Sequence, residues 1–304
     1  MIFGSAFSLA LLAFAPLVSA NPVLDPGGPG GLTLFNVSNL ASFNDANPTG
    51  LYEGIAITSN TLYLSLGDPT SLTQSVWALP LIRSNGHIVS VESSGAILYK
   101  SLPNNLGDTL GGGLVTVNGG ILYTMLPTFL GQAVGAPTLT DLGIAASIGG
   151  LQYVPGSGNS QLKVSSTSGD WYTANVSGTP GSYTVGSVSQ QSLGVAAYSF
   201  DYIPADLTFA TAGMILGDAS SISYYQVDNS GAPKPGTRVQ LVNYNFEAAI
   251  GYGVARDPFS GDVLFTTGDN QIFRLSDTYD APEPSTVLLA LGGIALLATR
   301  ARRR

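Results

Sequence analysis

The side chains able to do chemistry in this 304-residue chain are nearly all carboxylates: it holds 19 Asp and Glu, a single His and no Cys. The missing cysteine removes disulfides, thiolate metal sites and any cysteine nucleophile. One histidine, His87, cannot build a multi-histidine metal centre. A Ser-His-Asp triad would need it as the base. It lies in Asn85-Gly86-His87-Ile88-Val89 and reads as an exposed turn residue ahead of a strand. No GxSxG elbow, HExxH or Walker sequence occurs. Gly111-Gly112-Gly113 is not a phosphate loop, since no Gly-Lys-Ser and no helix follows it. No catalytic, cofactor-binding or metal-ligating residue is assigned on these grounds, and a non-catalytic chain is the main expectation.

In four copies of a repeated pattern a Gly-Asp pair closes the second strand: Gly67-Asp68, Gly169-Asp170, Gly217-Asp218 and Gly268-Asp269. Such a pair suits a turn between strands, with glycine free to take φ > 0 and aspartate accepting backbone N–H groups. Turn chemistry is the primary reading. A ring of these aspartates around a central channel is the alternative, and it would hold Ca²⁺, which takes six to eight oxygen ligands. An enzyme built on such a calcium would ask Asp68, Asp170, Asp201 and Glu247 to converge. A DxDxDG loop is absent. Trp77, Trp171, Tyr198, Tyr202, Tyr224 and Tyr225 are candidates for a glycan-binding face, against the simpler role of filling a β core.

These residues are positioned by strands. Between Asn21 and Asp280, short β-branched and aromatic runs alternate with Gly, Asn, Ser and Pro clusters. One pattern repeats: a glycine, a short apolar strand, a polar turn, a second strand, then a third. It starts at Gly54, Gly112, Gly149 and Gly251, with a weaker copy from Ser199. The second strands begin near Leu62, Leu122, Leu162, Met214 and Val263, a mean spacing of about 50 residues, as in a β-propeller blade. The copy from Gly251, with GVARDP and SGDVLFTTGDNQIFRL, resembles the unit of NHL-like or lactonase-like propellers. The expectation is an all-β, propeller-like domain of five blades. A sixth is counted if His87 to Tyr99 forms its own, and Leu32 to Val37 closes the ring on the last blade. A β-sandwich is the competing fold.

Both ends read as targeting segments. Residues 1–20 are uncharged from Ile2 to Val18 and end Val18-Ser19-Ala20, which fits a signal helix cut by signal peptidase between Ala20 and Asn21. Near the other end come Pro282-Glu283-Pro284, an apolar run from Val287 to Ala298, and Arg300, Arg302, Arg303 and Arg304. In that order they resemble the PEP-CTERM sorting signal of bacterial surface proteins, over 281–304. The resemblance implies recognition by an exosortase that cuts near Pro282 to Pro284. The apolar run would be a short transmembrane helix holding the chain until processing, with the arginines cytoplasmic.

The domain of residues 21–280 carries 18 acidic and 7 basic residues, a net charge of −11. That argues against nucleic acid, whose phosphates require clustered Lys and Arg. The sequence therefore reads as an exported protein, anchored transiently and then found at the cell surface or outside the cell. Its expected role is binding or scaffolding linked to exopolysaccharide and biofilm. The alternatives are a lactonase-type propeller hydrolase with a carboxylate-held calcium, and a lectin-like sandwich binding polysaccharide.

Overall fold

The computed structural model describes residues 22–39, 51–68, 73–102, 110–117, 120–125, 128–134, 137–144, 147–179, 182–206, 208–243 and 253–277. The signal segment with Ala20 and Asn21, the Pro282-Glu283-Pro284 triplet and the arginine cluster lie outside them. So does Glu247.

All regular structure among the described residues is β, in five sheets that are antiparallel except where Ser38–Asn39 runs parallel to His87–Glu92. Blade 1 starts with Leu51–Thr58, Thr61–Asp68 and Thr73–Ser84. Blade 2 is Leu110–Val117, Gly120–Met125, Phe129–Ala133 and Thr138–Asp141, and blade 3 is Ile148–Tyr153, Gln161–Ser166, Asp170–Ser177 and Thr184–Ser192. Blade 4 is Ser199–Ile203, Gly213–Gly217, Ser221–Gln226 and Val239–Asn243, with Val23–Leu24 added on its outer edge. Blade 5 takes Val254–Arg256, Val263–Thr266 and Ile272–Asp277 from the end of the domain. Its outermost strand, Leu32–Asn36, comes from the beginning and pairs from Leu32↔Asp277 to Asn36↔Phe273.

The inner strands of successive blades touch in order, and that of blade 5 returns to that of blade 1. The ring is a closed five-bladed β-propeller, and closure by the N-terminal strand covers an otherwise open edge. The sheets form a ring instead of two stacked layers, which rules out the sandwich. The residues from His87 to Tyr99 do not make a sixth blade. Thr73–Ser84 is 12 residues long and carries two partners, Ile97–Leu102 on its first half and His87–Glu92 on its second.

Five apolar clusters hold the ring, one in each joint between blades. Trp171, Phe200 and Met214 fill the joint of blades 3 and 4; Phe209, Phe265 and Phe273 fill that of blades 4 and 5. Leu64, Leu79 and Leu264 belong to the joint of blades 5 and 1, Leu114 and Tyr123 to that of blades 1 and 2, and Leu122 and Leu162 to the last. Trp171 is fully buried, edge-on to Phe200, and donates to the Val195 carbonyl at 2.7 Å. This is the core role expected of it.

Gly113, Gly149 and Gly253, on or beside the inner strands of three blades, share one physical cause. Near the axis the backbones of adjacent blades approach too closely for a side chain. A Cβ on Gly253 would lie 2.3 Å from the Glu53 carbonyl oxygen, one on Gly149 2.4 Å from that of Ala197, and one on Gly113 2.6 Å from the Leu151 nitrogen. A hydroxyl on the second strand then stitches the joint. Thr124 Oγ1 accepts from the Gly113 N–H and donates to the Gly149 carbonyl; Ser165 does the same between Gly150 and Ala197, and Thr266 between Gly253 and Glu53. Buried main-chain groups that face another blade are thereby satisfied.

Candidate functional site

The ends of the five inner strands surround the mouth of the central channel. A cavity of about 190 Å³ opens there between Ile57, Thr116, Gln152, Asp201, Arg256 and Pro258. Ala56, Leu114, Val115 and Ala255 complete an apolar wall. Each polar group arrives from a different blade, because the repeated strand geometry brings the same register position of each inner strand to the axis.

Asp201 is the carboxylate of this site. Its Oδ2 accepts the Arg256 main-chain N–H at 2.7 Å and its Oδ1 accepts the Tyr202 N–H at 2.8 Å. Burial pushes its carboxyl up to about 6, against the lowering effect of those two N–H bonds and of the Arg256 charge. It therefore takes up a proton at a higher pH than an ordinary aspartate does. The Thr116 hydroxyl and the Gln152 amide make no side-chain hydrogen bond among the described residues and are half-buried. The mouth therefore offers a hydroxyl, an amide and a carboxylate over an apolar wall, which suits a small hydroxyl-bearing ligand.

Of the four Gly-Asp aspartates, Asp170, Asp218 and Asp269 do not join Asp201. Asp170 is half-buried beside the turn and accepts the Ser192 hydroxyl; that bond, with Gln190 and Ser168, holds its carboxyl below the usual range. Asp218 accepts the N–H groups of Ser220 and Ser221, and Asp269 accepts the Thr267 hydroxyl. Asp68 ends the second strand of blade 1. Among the described residues no group of three or more His, Asp or Glu side chains converges to hold a metal. Positive φ, expected of all four glycines, holds only at Gly169, at 92°. At Gly67 the cause is different: a Cβ there would lie 2.5 Å from Glu53 Oε1.

The aromatic candidates likewise do not make one face. Tyr224 and Tyr225 are buried, Tyr202 donates to the Gly231 carbonyl, Tyr198 is half-buried, and Trp77 is half-buried with its indole N–H on Ser75.

His87 departs from its expected exposed turn. It opens a strand and its Nδ1 lies 2.9 Å from Asp262 Oδ1, while Asp262 also takes the Ile88 N–H and the Ser276 hydroxyl. Nearby, Arg83 grips Asp257 through two guanidinium nitrogens at 2.5 and 3.0 Å. The paired guanidinium and the Ser260 bonds hold the Asp257 carboxyl below its usual range despite burial. Both pairs clamp blade 1 to blade 5, where the ring closes. Sequence reading missed them, since the partners lie about 170 residues apart and no local pattern joins them.

No curated protein matches the chain. Among solved structures it is similar to glutaminyl cyclase from Myxococcus xanthus, at 12% identity and a TM-score of 0.47, covering 82% of this chain and 96% of that one. It is similar also to the Pan2 WD40 domain of Neurospora crassa, at 9% identity and a TM-score of 0.39 over 82% and 96% of the two chains. A third is Raptor from Chaetomium thermophilum, at 9% identity and a TM-score of 0.37, over 80% of this chain and 31% of that one. Residues 280–304 match the PEP-CTERM protein-sorting motif. The chain thus joins a five-bladed β-propeller to a PEP-CTERM protein-sorting motif, and that motif implies an exported protein processed by an exosortase.

Proposed function

We propose that this protein is a non-catalytic binding or scaffolding propeller of the cell surface or extracellular matrix, linked to exopolysaccharide. Signal peptidase removes residues 1–20. The apolar run from Val287 to Ala298 then holds the chain in the membrane, with Arg300, Arg302, Arg303 and Arg304 on the cytoplasmic side. An exosortase cuts near Pro282-Glu283-Pro284 and frees the propeller. The observation that carries this reading is the sorting motif at 280–304 behind a closed ring. Deleting Pro282 to Pro284 is expected to leave an uncut precursor in the membrane fraction, read by immunoblot of membrane and medium. Normal release of the shortened chain would defeat the sorting role.

In this reading the ligand enters the channel mouth, where Thr116, Gln152 and Asp201 meet its hydroxyl groups. Replacing Asp201 by Asn or Gln152 by Ala should weaken binding to isolated exopolysaccharide about tenfold, the effect of about 1.4 kcal/mol lost from one buried hydrogen bond. Isothermal titration of the full chain with that polysaccharide measures it. Equal affinity in all three proteins would move the binding surface away from the channel.

A further inference from the structure

Glu53 is one of two carboxyl groups on the five inner strands, the other being Asp201. Its strand bulges between Tyr52 and Ile55: Tyr52 pairs with Leu66 and Ile55 with Leu64, so Glu53 and Gly54 together face Ser65. The extra residue lets the Glu53 side chain fold over the second strand. There its Oε1 would lie 2.5 Å from a Cβ on Gly67, and its Cδ 3.0 Å from it. The carboxyl group fills the space that the missing side chain of Gly67 leaves.

Gly67 pairs across the sheet with Gln74, and Ser65 with Val76. Alternation puts all four on one face, and Val76 belongs to the core shared with Leu114, Tyr123 and Met125 of blade 2. The Glu53 carboxyl thus sits in the joint of blades 1 and 2. The residue is 3% exposed, and its Oε2 has no hydrogen-bond partner. This contrasts with Asp257, equally buried, which is met by a guanidinium.

An ionised carboxylate without a partner is a costly occupant of an apolar joint, whereas the neutral acid carries a proton and can donate. We propose that Glu53 is held as a neutral acid and locks blade 1 to blade 2, so that losing its proton loosens the ring at that joint. Gln74 pairs across the sheet with Gly67, whose missing side chain leaves the space the Glu53 carboxyl fills. Burial pushes the Glu53 carboxyl well above the usual carboxylate range, in agreement.

Other ionisable groups lie on the elements packed around Glu53. They are Tyr52 on its own strand, Tyr63 and Asp68 on the second, Arg83 on the third, His87 and Glu92 on His87–Glu92, Tyr99 and Lys100 on Ile97–Leu102, Tyr123 and Asp141 on blade 2, and Arg256 and Arg274 on blade 5. The side chain of Asp68 is outside the described residues.

The sign follows from linkage. The folded protein keeps a proton that the unfolded chain loses above about pH 4.3, so this contribution is fully present below that value and fades as pH rises to the folded value. Asp201 acts in the same direction only up to about 6, and Lys163, lowered to about 8 by burial, acts oppositely above that. A comparison with Glu53→Gln isolates Glu53 from both. Thermal melts of the full chain in mild detergent should show the variant and the wild type closest near pH 4. The variant should gain steadily from pH 6 to pH 9. A constant difference across that range overturns the proposal. Should Glu53→Gln fail to fold, the carboxyl ¹³C resonance of Glu53 in the wild type decides: the protonated position at pH 7 supports it, and the ionised position overturns it.

Discussion

Removing residues 21–36 is expected to abolish cooperative folding of the propeller. Blade 5 has only three strands of its own, and Leu32–Asn36 is the fourth. Without it, Ile272–Asp277 becomes an open edge next to the gap in the ring. Five residue pairs of the ladder go, at about 1 kcal/mol per hydrogen bond. Leu24, Leu32 and Leu34 also leave the core shared by blades 4 and 5, and Phe35 leaves the Arg274 guanidinium stacked on it at 4.5 Å. Their apolar contacts add roughly another 1 kcal/mol each. Losses of this size match the whole stability of an ordinary domain, about 5–15 kcal/mol. Circular dichroism on heating should show no sharp transition, and the dye ANS should bind. A truncated chain melting cooperatively within a few degrees of the wild type would show that the ring does not depend on this strand.

Much of this architecture is legible in the sequence, and the reason is repetition. Blades must pass the same crowded axis, so glycines recur on or beside the inner strands, at Gly54, Gly113, Gly149 and Gly253, where a Cβ would meet the next blade. The five second strands contain the five starts read from the sequence. Leu32 to Val37 is legible as the closing strand for a similar reason, since a β segment stranded before the first repeat needs an edge to join. What stays hidden is whatever depends on the register between blades. Asp201 is visible as a carboxylate, but its neighbours at the channel are a threonine and a glutamine instead of other acids. Local spacing says where a residue lies along a strand and not what the next blade presents to it. Glu53 depends in addition on a bulge, and His87 on Asp262. The Gly-Asp pairs read as turns, but Gly67 and Asp68 lie in a strand, and one explanation does not cover all four: Gly67 serves a buried carboxyl and Gly169 a positive φ.

Gly253→Val should lower the melting temperature by about 10–20 °C, taking about 5 kcal/mol at about 2–4 °C per kcal/mol for a domain of this size. The obstacles are main-chain atoms: a Cβ would lie 2.3 Å from the Glu53 oxygen and 3.0 Å from the Ile55 nitrogen, so no rotamer change relieves it. Blades 5 and 1 must move apart, at a cost of about 1–3 kcal/mol for overpacking alone. That movement also pulls Thr266 Oγ1 away from the Gly253 N–H at 2.9 Å and the Glu53 carbonyl at 3.1 Å. Each buried group left without a partner costs about 1–3 kcal/mol more. Gly186→Ala is the control. Gly186 lies in the outer strand of blade 3, where a Cβ would meet nothing closer than 3.6 Å, and the change should stay within about 0.5 kcal/mol. Thr266→Val separates the two parts of the cost, because it keeps the shape and removes only the hydroxyl. It should therefore fall between the control and Gly253→Val. If Gly253→Val melts with the wild type, close approach at the axis is not what selects glycine, and the repeat must have another cause.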